Sequence, residues 1–427
     1  MIGAPVTIDR AAVLDRFTRM RARTRALFAL LDDRAYYTRP IPLRNPIVFY
    51  EGHLPAFALN TLVKRGLGQP GIDARLEEIF ARGIDPETEA TAIARGDPAW
   101  PARETVRDYA AAADHLLEHA IATADLERDD HPLLHRAQAL WTILEHEEMH
   151  QETLAYLWHQ LPYAQKRKPA HYVTAPPRLI QAAPAAARVR IPAGSVTMGT
   201  DLRETAFAWD NERPMHCASV GAFTIDVHNV TNREFLDFVE DQEAAPPAFW
   251  EREAGRWYWR GMFERVPLPE AWPVYVTWAE AQAFARWRGG RLPTEAEFHR
   301  AAFGTPDGRE RQHPWGDALP PRGPANVDFR RWDPDPVGSH PDGASAFGVH
   351  DLVGNGWEWT STPFGPFNGF EPLPSYPEYS VEFFDGDHFV LKGGSPATPR
   401  TLLRRGFRNW FRPNYPYVYA TFRCVEA

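Results

Sequence analysis

Two histidines in the segment ILEHEEMHQETL have the spacing of a metal site. His146 and His150 stand four residues apart, so on an α-helix their side chains are about 40° apart around the axis and both rings can face one ion. Glu152 lies about 200° around the axis from His150 and cannot share that ion on a regular helix. We therefore expect a histidine pair here and no local His-His-carboxylate triad.

The acidic residues around this pair allow two interpretations. Glu145, Glu147 and Glu148 can accept hydrogen bonds from the rings and orient them. HEEMH also spells the H-E-x-x-H signature of zinc proteases, with Glu147 as the base. That alternative needs a third ligand downstream and a substrate cleft beside an edge strand, and an all-helical setting does not favour it.

A third ligand must come from elsewhere in the chain, and His53 in NPIVFYEGHLPAF is the candidate. It lies where a glycine-broken aromatic segment enters a helix, so a helix-capping or core histidine is the alternative. His115 and His119 share the four-residue spacing and show how easily the pattern arises.

The elements that must position these histidines are helices. Apolar residues recur at helical spacing over residues 9–31, 104–123 and 131–158. In the first of these segments they are Val13, Phe17, Met20 and Leu27. Together with residues 54–64, the three segments predict a four-helix bundle. Residues 68–101 are largely polar and punctuated by Gly and Pro, so we expect a long connection there.

From Arg188 onward the pattern changes to short, irregular segments rich in Trp, Gly and Pro. RVRIPAGSVTMGT and FTIDVHNVTNREF look like strands with turns, and YVTWAEAQAFARWRG is typical of a short amphipathic helix. A boundary near KRKPAHYVTAPPR gives two domains, 1–170 and 171–427, as expected for a chain of 427 residues. The predicted fold class is α+β.

The bulk composition limits the classes of function. The net charge of -9, without a long Lys/Arg run, argues against nucleic-acid and anionic-membrane partners. No stretch approaches the roughly 18 apolar residues of a membrane span, and the N-terminus lacks a signal layout. Two cysteines, Cys217 and Cys424, fit a reducing compartment, with a bridge between them left open. We expect a cytoplasmic protein with small-molecule partners, no nucleic acid and no membrane.

Several motifs resemble one known family. GRLPTEAEF, PWGD, DLVGNGWEWT, LKGGSPATP and FRNWF, with the H-x3-H-x-E pattern of His146, His150 and Glu152, are similar to the sulfoxide synthases of ergothioneine biosynthesis and their ovothiol and selenoneine synthase relatives. The resemblance covers nearly the whole chain. It implies an N-terminal DinB-like four-helix bundle and a C-terminal domain like the formylglycine-generating enzyme, with a C-type-lectin fold.

The resemblance also implies a cofactor and its ligands. The family holds Fe(II) with three histidines, which correspond to His53, His146 and His150, and uses O2 as co-substrate. Three neutral imidazoles leave the ion its double charge and three open positions, enough for a substrate imidazole, a thiolate or selenolate, and O2. The implied reaction joins sulfur or selenium to the imidazole of N-α-trimethylhistidine (hercynine). A family tyrosine that donates a proton or electron precedes the GGS strand and corresponds to Tyr379.

The family's substrate contacts correspond to residues near the C-terminus. Asn409 and Trp410 match its RNW segment. Phe411 and Tyr415 are neighbouring candidates for holding the trimethylammonium group, because aromatic faces attract a cation that has no hydrogen-bond donor. Met149 stands where the family commonly has a glutamine that contacts the betaine.

Two departures from the ergothioneine synthases concern the substrates, and the second favours a neutral donor. FYEGHLPAF is closer to ovothiol and selenoneine synthases than to the segment around the first histidine of ergothioneine synthases. The family grips the carboxylates of γ-glutamylcysteine with arginines on its third helix, where this chain has the alanines 110–113. A neutral selenosugar donor and a selenoneine product fit that helix. Ergothioneine synthesis from cysteine or γ-glutamylcysteine is the alternative, with Arg39, Arg44, Arg103 and Arg107 as candidate carboxylate ligands.

Two other classes stay open. The second domain alone suggests a formylglycine-generating oxidase, but that enzyme needs a closely placed copper-binding cysteine pair, and Cys217 and Cys424 are far apart in sequence. A lectin-like binding module is the non-enzyme alternative. The GNGWEW turn, with Asn355, is a candidate site for a structural calcium.

Overall fold

The computed structural model describes residues 8–81, 99–170, 172, 184–319 and 323–426. Most of the predicted boundary KRKPAHYVTAPPR lies outside these residues. Among the described helices, none combines the length and the apolar character needed to cross a bilayer.

The chain forms two compact units. Unit 1 comprises Met1–Ala170 together with Pro374–Tyr376, and unit 2 comprises His171–Leu373 and Pro377–Ala427. The chain therefore returns to the helical unit for three residues, more than 200 positions after it has left. No sequence pattern predicts this return.

Unit 1 is a bundle of helices. Its helices are α1 (Arg10–Ala29), α2 (Ile47–Ala58), a π-helix (Leu59–Gly66), α3 (Ala74–Ile79), α4 (Arg103–Thr123) and α5 (Gln138–Gln160). The side chain of Asp9 caps α1 by accepting a hydrogen bond from the backbone of Ala12, and the helix buries all four apolar positions that the spacing predicted. The second predicted helix begins earlier than expected and ends as the π-helix.

α3 interrupts the segment that was expected to be a long connection. Asp73 caps its first turn by accepting from two backbone amides. The buried Glu77 carboxylate accepts from the Lys64 ammonium at 2.6 Å and from the Ile72 amide at 2.7 Å. These bonds attach the segment to the π-helix. Residues 82–98 of the predicted connection lie outside the described part of the chain.

Unit 2 combines short strands with short helices. Its strands are β1 (Arg188–Ile191), β2 (Gly194–Met198), β3 (His216–Val220), β4 (Phe223–Asp226), β5 (Trp250–Glu253), β6 (Arg256–Arg260), β7 (Arg265–Pro267), β8 (Gly290–Arg291), β9 (Trp357–Pro363), β10 (Phe389–Lys392), β11 (Asn409–Phe411), β12 (Ala420–Thr421) and β13 (Val425–Glu426). Its α-helices are α6 (Asn232–Gln242), α7 (Trp278–Trp287), α8 (Glu295–Phe303) and α9 (Glu378–Val381).

The strands form four sheets. One has the order β1-β4-β13-β8 and a second the order β11-β10-β9-β12, while β2 pairs with β3 and β6 lies between β5 and β7. β13 is antiparallel to both β4 and β8, so the last strand lies between strands that are far apart in sequence. An apolar core of fully buried side chains, including Ile191, Ile225 and Phe298, packs against the first sheet.

Capping boxes determine where three of the helices start. α7 confirms the predicted amphipathic helix. The strand predicted for FTIDVHNVTNREF ends at Asp226, and its last letters form the first turn of α6, because Thr231 and Glu234 cap each other's backbone amides. The same reciprocal cap begins α7 and α8. The helical first unit and the mixed second unit confirm the predicted α+β class.

Candidate metal centre

The structure brings His53, His146 and His150 together in unit 1. One ring nitrogen from each lies within 4.8 Å of the other two. The ring centroids are 5.3 Å apart between His53 and each partner, and 4.3 Å apart between His146 and His150. α2 supplies the first ring and successive turns of α5 supply the other two. The i, i+4 spacing therefore places both α5 rings toward one point, as a shared ligand requires.

Backbone carbonyls fix the orientation of two of these rings. His53 Nδ1 lies 2.9 Å from the Phe80 carbonyl oxygen, and His150 Nδ1 lies 3.0 Å from the His146 carbonyl oxygen. A carbonyl only accepts, so each Nδ1 carries the hydrogen and each Nε2 keeps its lone pair. Neither ring nitrogen of His146 has a hydrogen-bond partner among the described residues. The cluster thus presents open acceptor nitrogens in a largely buried place.

The expectation that Glu147 and Glu148 orient the rings is wrong. Glu147 accepts hydrogen bonds from Arg21 at 2.8 Å and Thr24 at 2.6 Å. Glu148 forms an ion pair with Arg16 at 2.6 Å. These carboxylates attach α5 to α1, and Glu147 is therefore not the free base that the zinc-protease interpretation needs.

Gly52 explains how a carbonyl reaches His53. A Cβ atom at this position would lie 2.4 Å from the Phe80 ring, so the ring packs against α2 only because residue 52 has no side chain. Phe80 is fully buried there, and its carbonyl oxygen accepts from His53. Phe80 follows directly after α3, and the hydrogen bond between Glu77 and Lys64 attaches α3 to the π-helix. This attachment places Phe80 beside Gly52.

The rings are neutral at physiological pH. Burial lowers the pKa of His53 to about 4 and the pKa of His150 to about 3, and the neighbouring His53 lowers the second value further. Burial also lowers the pKa of His146 well below its ordinary value. Neutral imidazole is the form that binds iron, zinc, copper and nickel. An ion held by the three rings would give a buried His146 nitrogen the partner that it lacks, so the donor set fits a divalent transition metal.

Aromatic rings surround the three histidines. Phe57 stacks on His146 with centroids 3.6 Å apart, and Phe49 stacks on His53 at 4.7 Å. Tyr376, from the segment that returns to unit 1, lies 5.2 Å from the Phe57 ring and 6.1 Å from the His146 ring. The Tyr50 ring also lies 6.2 Å from the His150 ring, so the site has apolar walls and two nearby phenols.

Comparison with known proteins identifies the family. Residues 16–154 match the DinB superfamily, and residues 175–427 match the sulfatase-modifying factor enzyme 1-like domain. The hercynine oxygenase of Mycolicibacterium smegmatis is 32% identical over 444 residues, which cover 98% of this chain and 99% of that protein. The chain belongs to the hercynine oxygenase family. Both predicted domain types are confirmed, and membership in a family of enzymes overturns the lectin-like binding module.

Other members of the hercynine oxygenase family match parts of the chain or extend beyond it. The hercynine oxygenase of Mycobacterium tuberculosis is 40% identical over 250 residues, covering 53% of this chain and 58% of that protein. Ergothioneine biosynthesis protein 1 of Neurospora crassa is 27% identical over 501 residues, covering 93% of this chain and 55% of the fungal protein. The chain thus spans about half the length of the fungal relative.

In this family member, Tyr376 and not Tyr379 accompanies the histidines in unit 1. Tyr379 belongs to unit 2, where it stacks on Trp209 at 4.0 Å and meets Trp410 edge-on at 5.2 Å. Both tyrosines lie in SYPEYS. The sequence signal for the counterpart was its position before the GGS strand, and that signal does not distinguish residues three apart in a turn.

The other predicted substrate residues divide between the units. Met149 is half-buried on α5, directly before His150 in unit 1. Asn409, Trp410 and Phe411 form β11 in unit 2 and are all half-buried. Trp410 stacks on Phe364 at 4.2 Å, and Phe411 stacks on Tyr415 at 5.2 Å. Their contact with hercynine stays a prediction.

The structure also bears on the cysteine bridge and on the calcium site. Cys217 and Cys424 are both free, so no bridge joins them. The Asn355 side-chain oxygen accepts from the Asp335 amide at 2.7 Å and from Asn326 at 3.2 Å. The Asn355 oxygen therefore already serves as an acceptor within the fold and is not an open ligand for the proposed calcium.

Proposed function

We propose that the protein uses bound Fe(II) and O2 to join the sulfur of a thiol donor to the imidazole ring of hercynine. The observation that carries the proposal is the convergence of three neutral imidazoles with open nitrogens, in a chain that aligns along nearly its whole length with a hercynine oxygenase. Fe(II), when bound, supplies open positions for O2 and both substrates. The reaction balances: a C–H and an S–H bond break, C–S and S–O bonds form, and O2 yields one sulfoxide oxygen and one water.

In this proposal His53, His146 and His150 hold the ion. The carbonyls of Phe80 and His146 already fix the tautomers of two rings, so binding does not require the rings to turn or to lose a proton. The rings of Phe49 and Phe57 cover the buried rings of His53 and His146, and such an apolar setting strengthens the interactions of charged ligands.

We assign to Tyr376 the proton-donating role that the sequence suggested for Tyr379. Its ring lies 6.1 Å from that of His146, whereas Tyr379 stacks within unit 2. A phenol is one of the side chains that can donate a proton to a reacting group positioned nearby. Replacing Tyr376 by Phe removes that proton without removing the ring.

The trimethylammonium group of hercynine is proposed to lie on aromatic faces supplied by Trp410, Phe411 and Tyr415, with Asn409 contacting its carboxylate. The chemistry supports these residue types, because the cation offers no hydrogen-bond donor and is attracted to aromatic faces. Met149 lies next to a metal ligand and contributes an apolar contact where the family commonly has a glutamine.

A sulfur donor is the first candidate because the Neurospora crassa relative is an ergothioneine biosynthesis protein. One observation favours a neutral donor such as a selenosugar as the second candidate. Arg103 pairs with Asp33 at 2.7 Å and lies 3.5 Å from Glu51, which Arg107 also approaches at 3.5 Å. The bundle's own carboxylates thus neutralise both arginines of α4.

Product analysis tests the proposal. Protein reconstituted with Fe(II) without oxygen is given hercynine, then O2, with cysteine, γ-glutamylcysteine or a selenosugar in separate reactions, and products are identified by mass. We expect a sulfoxide of hercynine from a thiol donor, its loss in His146→Ala and its retention in His115→Ala. A selenium adduct alone would select the second candidate. Unchanged hercynine with every donor would contradict both.

A further inference from the structure

The segment Pro374–Tyr376 is attached to the helical unit by hydrogen bonds. Arg65, on the π-helix, donates from its two terminal nitrogens to the carbonyl oxygens of Ser375 and Pro374, each at 3.1 Å. The Ser375 hydroxyl forms a 2.7 Å hydrogen bond with the Thr142 hydroxyl on α5, and both side chains are fully buried. We call these contacts the Arg65–Thr142 clasp.

The clasp acts one helical turn away from the candidate ligands. Thr142 precedes His146 by four residues on α5, and Phe57 follows His53 by four residues on α2. Side chains four residues apart lie on the same face of a helix. Thr142 therefore holds the segment on the face that carries His146, and the Tyr376 ring rests against Phe57 at 5.2 Å.

The hydrogen bonds of the clasp hold the backbone of Pro374 and Ser375 in one position. Two donors of one planar guanidinium hold two successive carbonyls, which determines the direction of the peptide as well as its position. The buried hydroxyl pair leaves little freedom, because breaking it would strand two polar groups without water. Tyr376 follows Ser375 directly in the chain.

We propose that Arg65 and Thr142 are positioning residues, which hold Tyr376 beside the metal site through the backbone of Pro374 and Ser375. This inference rests on the function proposed for Tyr376. It assigns the clasp no contact with either substrate or with the ion. Its loss should therefore lower turnover, leave iron binding intact and act only when residue 376 carries a phenol.

A double-mutant cycle with an independent structural measurement tests this. The variants are Arg65→Ala with Thr142→Val, Tyr376→Phe, and all three changes together, each reconstituted with Fe(II). We expect the clasp variant to lose about tenfold in kcat, within the hundredfold that a small misplacement can cost, with the KM for hercynine nearly unchanged. In the Tyr376→Phe background the same two changes should lower kcat no further. Thr142→Ser with Arg65 intact keeps the hydroxyl and should retain most of the wild-type kcat.

Hydrogen exchange of the amides in 373–380 provides a measurement that is independent of turnover. We expect faster exchange there in the clasp variant and unchanged exchange in α5, with Arg19→Ala and Thr123→Val as exposed controls from the same unit. Unchanged exchange in the segment, loss of bound iron, or a full additional loss of kcat in the Tyr376→Phe background would overturn the clasp. If Tyr376→Phe itself leaves kcat unchanged, the role of Tyr376 fails, while the exchange data still decide whether the clasp holds the segment.

Discussion

Two buried polar clusters in this chain differ in how their atoms are satisfied. In unit 2, Arg423 and Glu358 are fully buried and form a two-bond ion pair, 2.7 Å at each oxygen. Arg423 donates its remaining hydrogens to the backbone carbonyls of Asp226, Val227 and His350. In unit 1, by contrast, the buried ring of His146 has no hydrogen-bond partner among the described residues.

The difference separates a structural cluster from a binding cluster. A buried polar atom without a partner costs about 1–3 kcal/mol, so folds rarely retain one unless something else satisfies it. The arginine–glutamate pair satisfies itself and joins a strand to the C-terminal segment. The three histidines converge on one point and leave nitrogens open, which is the arrangement that an ion would complete.

The largest effect should come from removing a ring. His146→Ala deletes one of three ligands, so we expect bound Fe(II) to fall from about one per chain to a small fraction and turnover to fall on the order of a thousandfold. Metal analysis of anaerobically reconstituted protein measures this. His115→Ala, an exposed histidine with the same i, i+4 spacing, is the matched control and should bind iron normally. Equal iron in both variants would show that the histidine cluster of unit 1 is not the binding cluster.

Breaking the ion pair should affect stability and leave the metal site alone. Arg423→Met strands the buried Glu358 carboxylate, so we expect a loss of about 3–5 kcal/mol in the free energy of unfolding. Adding Glu358→Leu removes the stranded charge and should recover much of that loss. Urea unfolding measures both, and iron per folded chain should not change. A loss of iron in Arg423→Met would show that the clusters are not separate.

Altering the orientation of one ring should have an intermediate effect. In Gly52→Val the new side chain displaces Phe80, whose carbonyl orients His53, so we expect iron affinity to fall about 10–100-fold. Titration with Fe(II) in the absence of oxygen measures the dissociation constant. Gly221→Val, at an exposed position with open space around the Cβ, is the control. Unaltered affinity in Gly52→Val would mean that the Phe80 carbonyl has no orienting role.

The smallest effect concerns pH. Protons compete with a metal ion for the same nitrogens, and burial places the pKa of His53 at about 4 and that of His150 at about 3. Because these values lie below the ordinary 6.5, the free rings stay neutral as pH falls to 5.5, and affinity for Fe(II) should change by less than about twofold between pH 7.5 and 5.5. A tenfold weakening over that interval would indicate exposed rings of ordinary pKa.

The sequence was sufficient for the features that depend on periodicity. The helical spacing of Val13, Phe17, Met20 and Leu27 predicted the buried face of α1, and the spacing of His146 and His150 predicted that their rings share a direction. These relations are local, so the geometry of a single helix determines them. The third ring, His53, was only a candidate among the residues, and the family resemblance rather than spacing assigned it as a ligand.

Features that depend on distant contacts were missed. His53 is oriented by a carbonyl of Phe80, and a backbone atom leaves no signature in the residue type. Tyr376 reaches unit 1 through Ser375, which bonds a residue 233 positions away, inside a turn-rich segment without periodicity. Glu147 looked like a ring acceptor because it neighbours His146, but α1 supplies Arg21 as a stronger, charged partner.

The central claim is that His53, His146 and His150 hold one ion, and anomalous diffraction at the iron edge tests it most directly. Crystals grown without oxygen from iron-loaded protein should show a single strong peak, within bonding distance of one nitrogen from each ring. A peak elsewhere, or one that touches fewer than all three rings in protein that still turns over, would contradict the account.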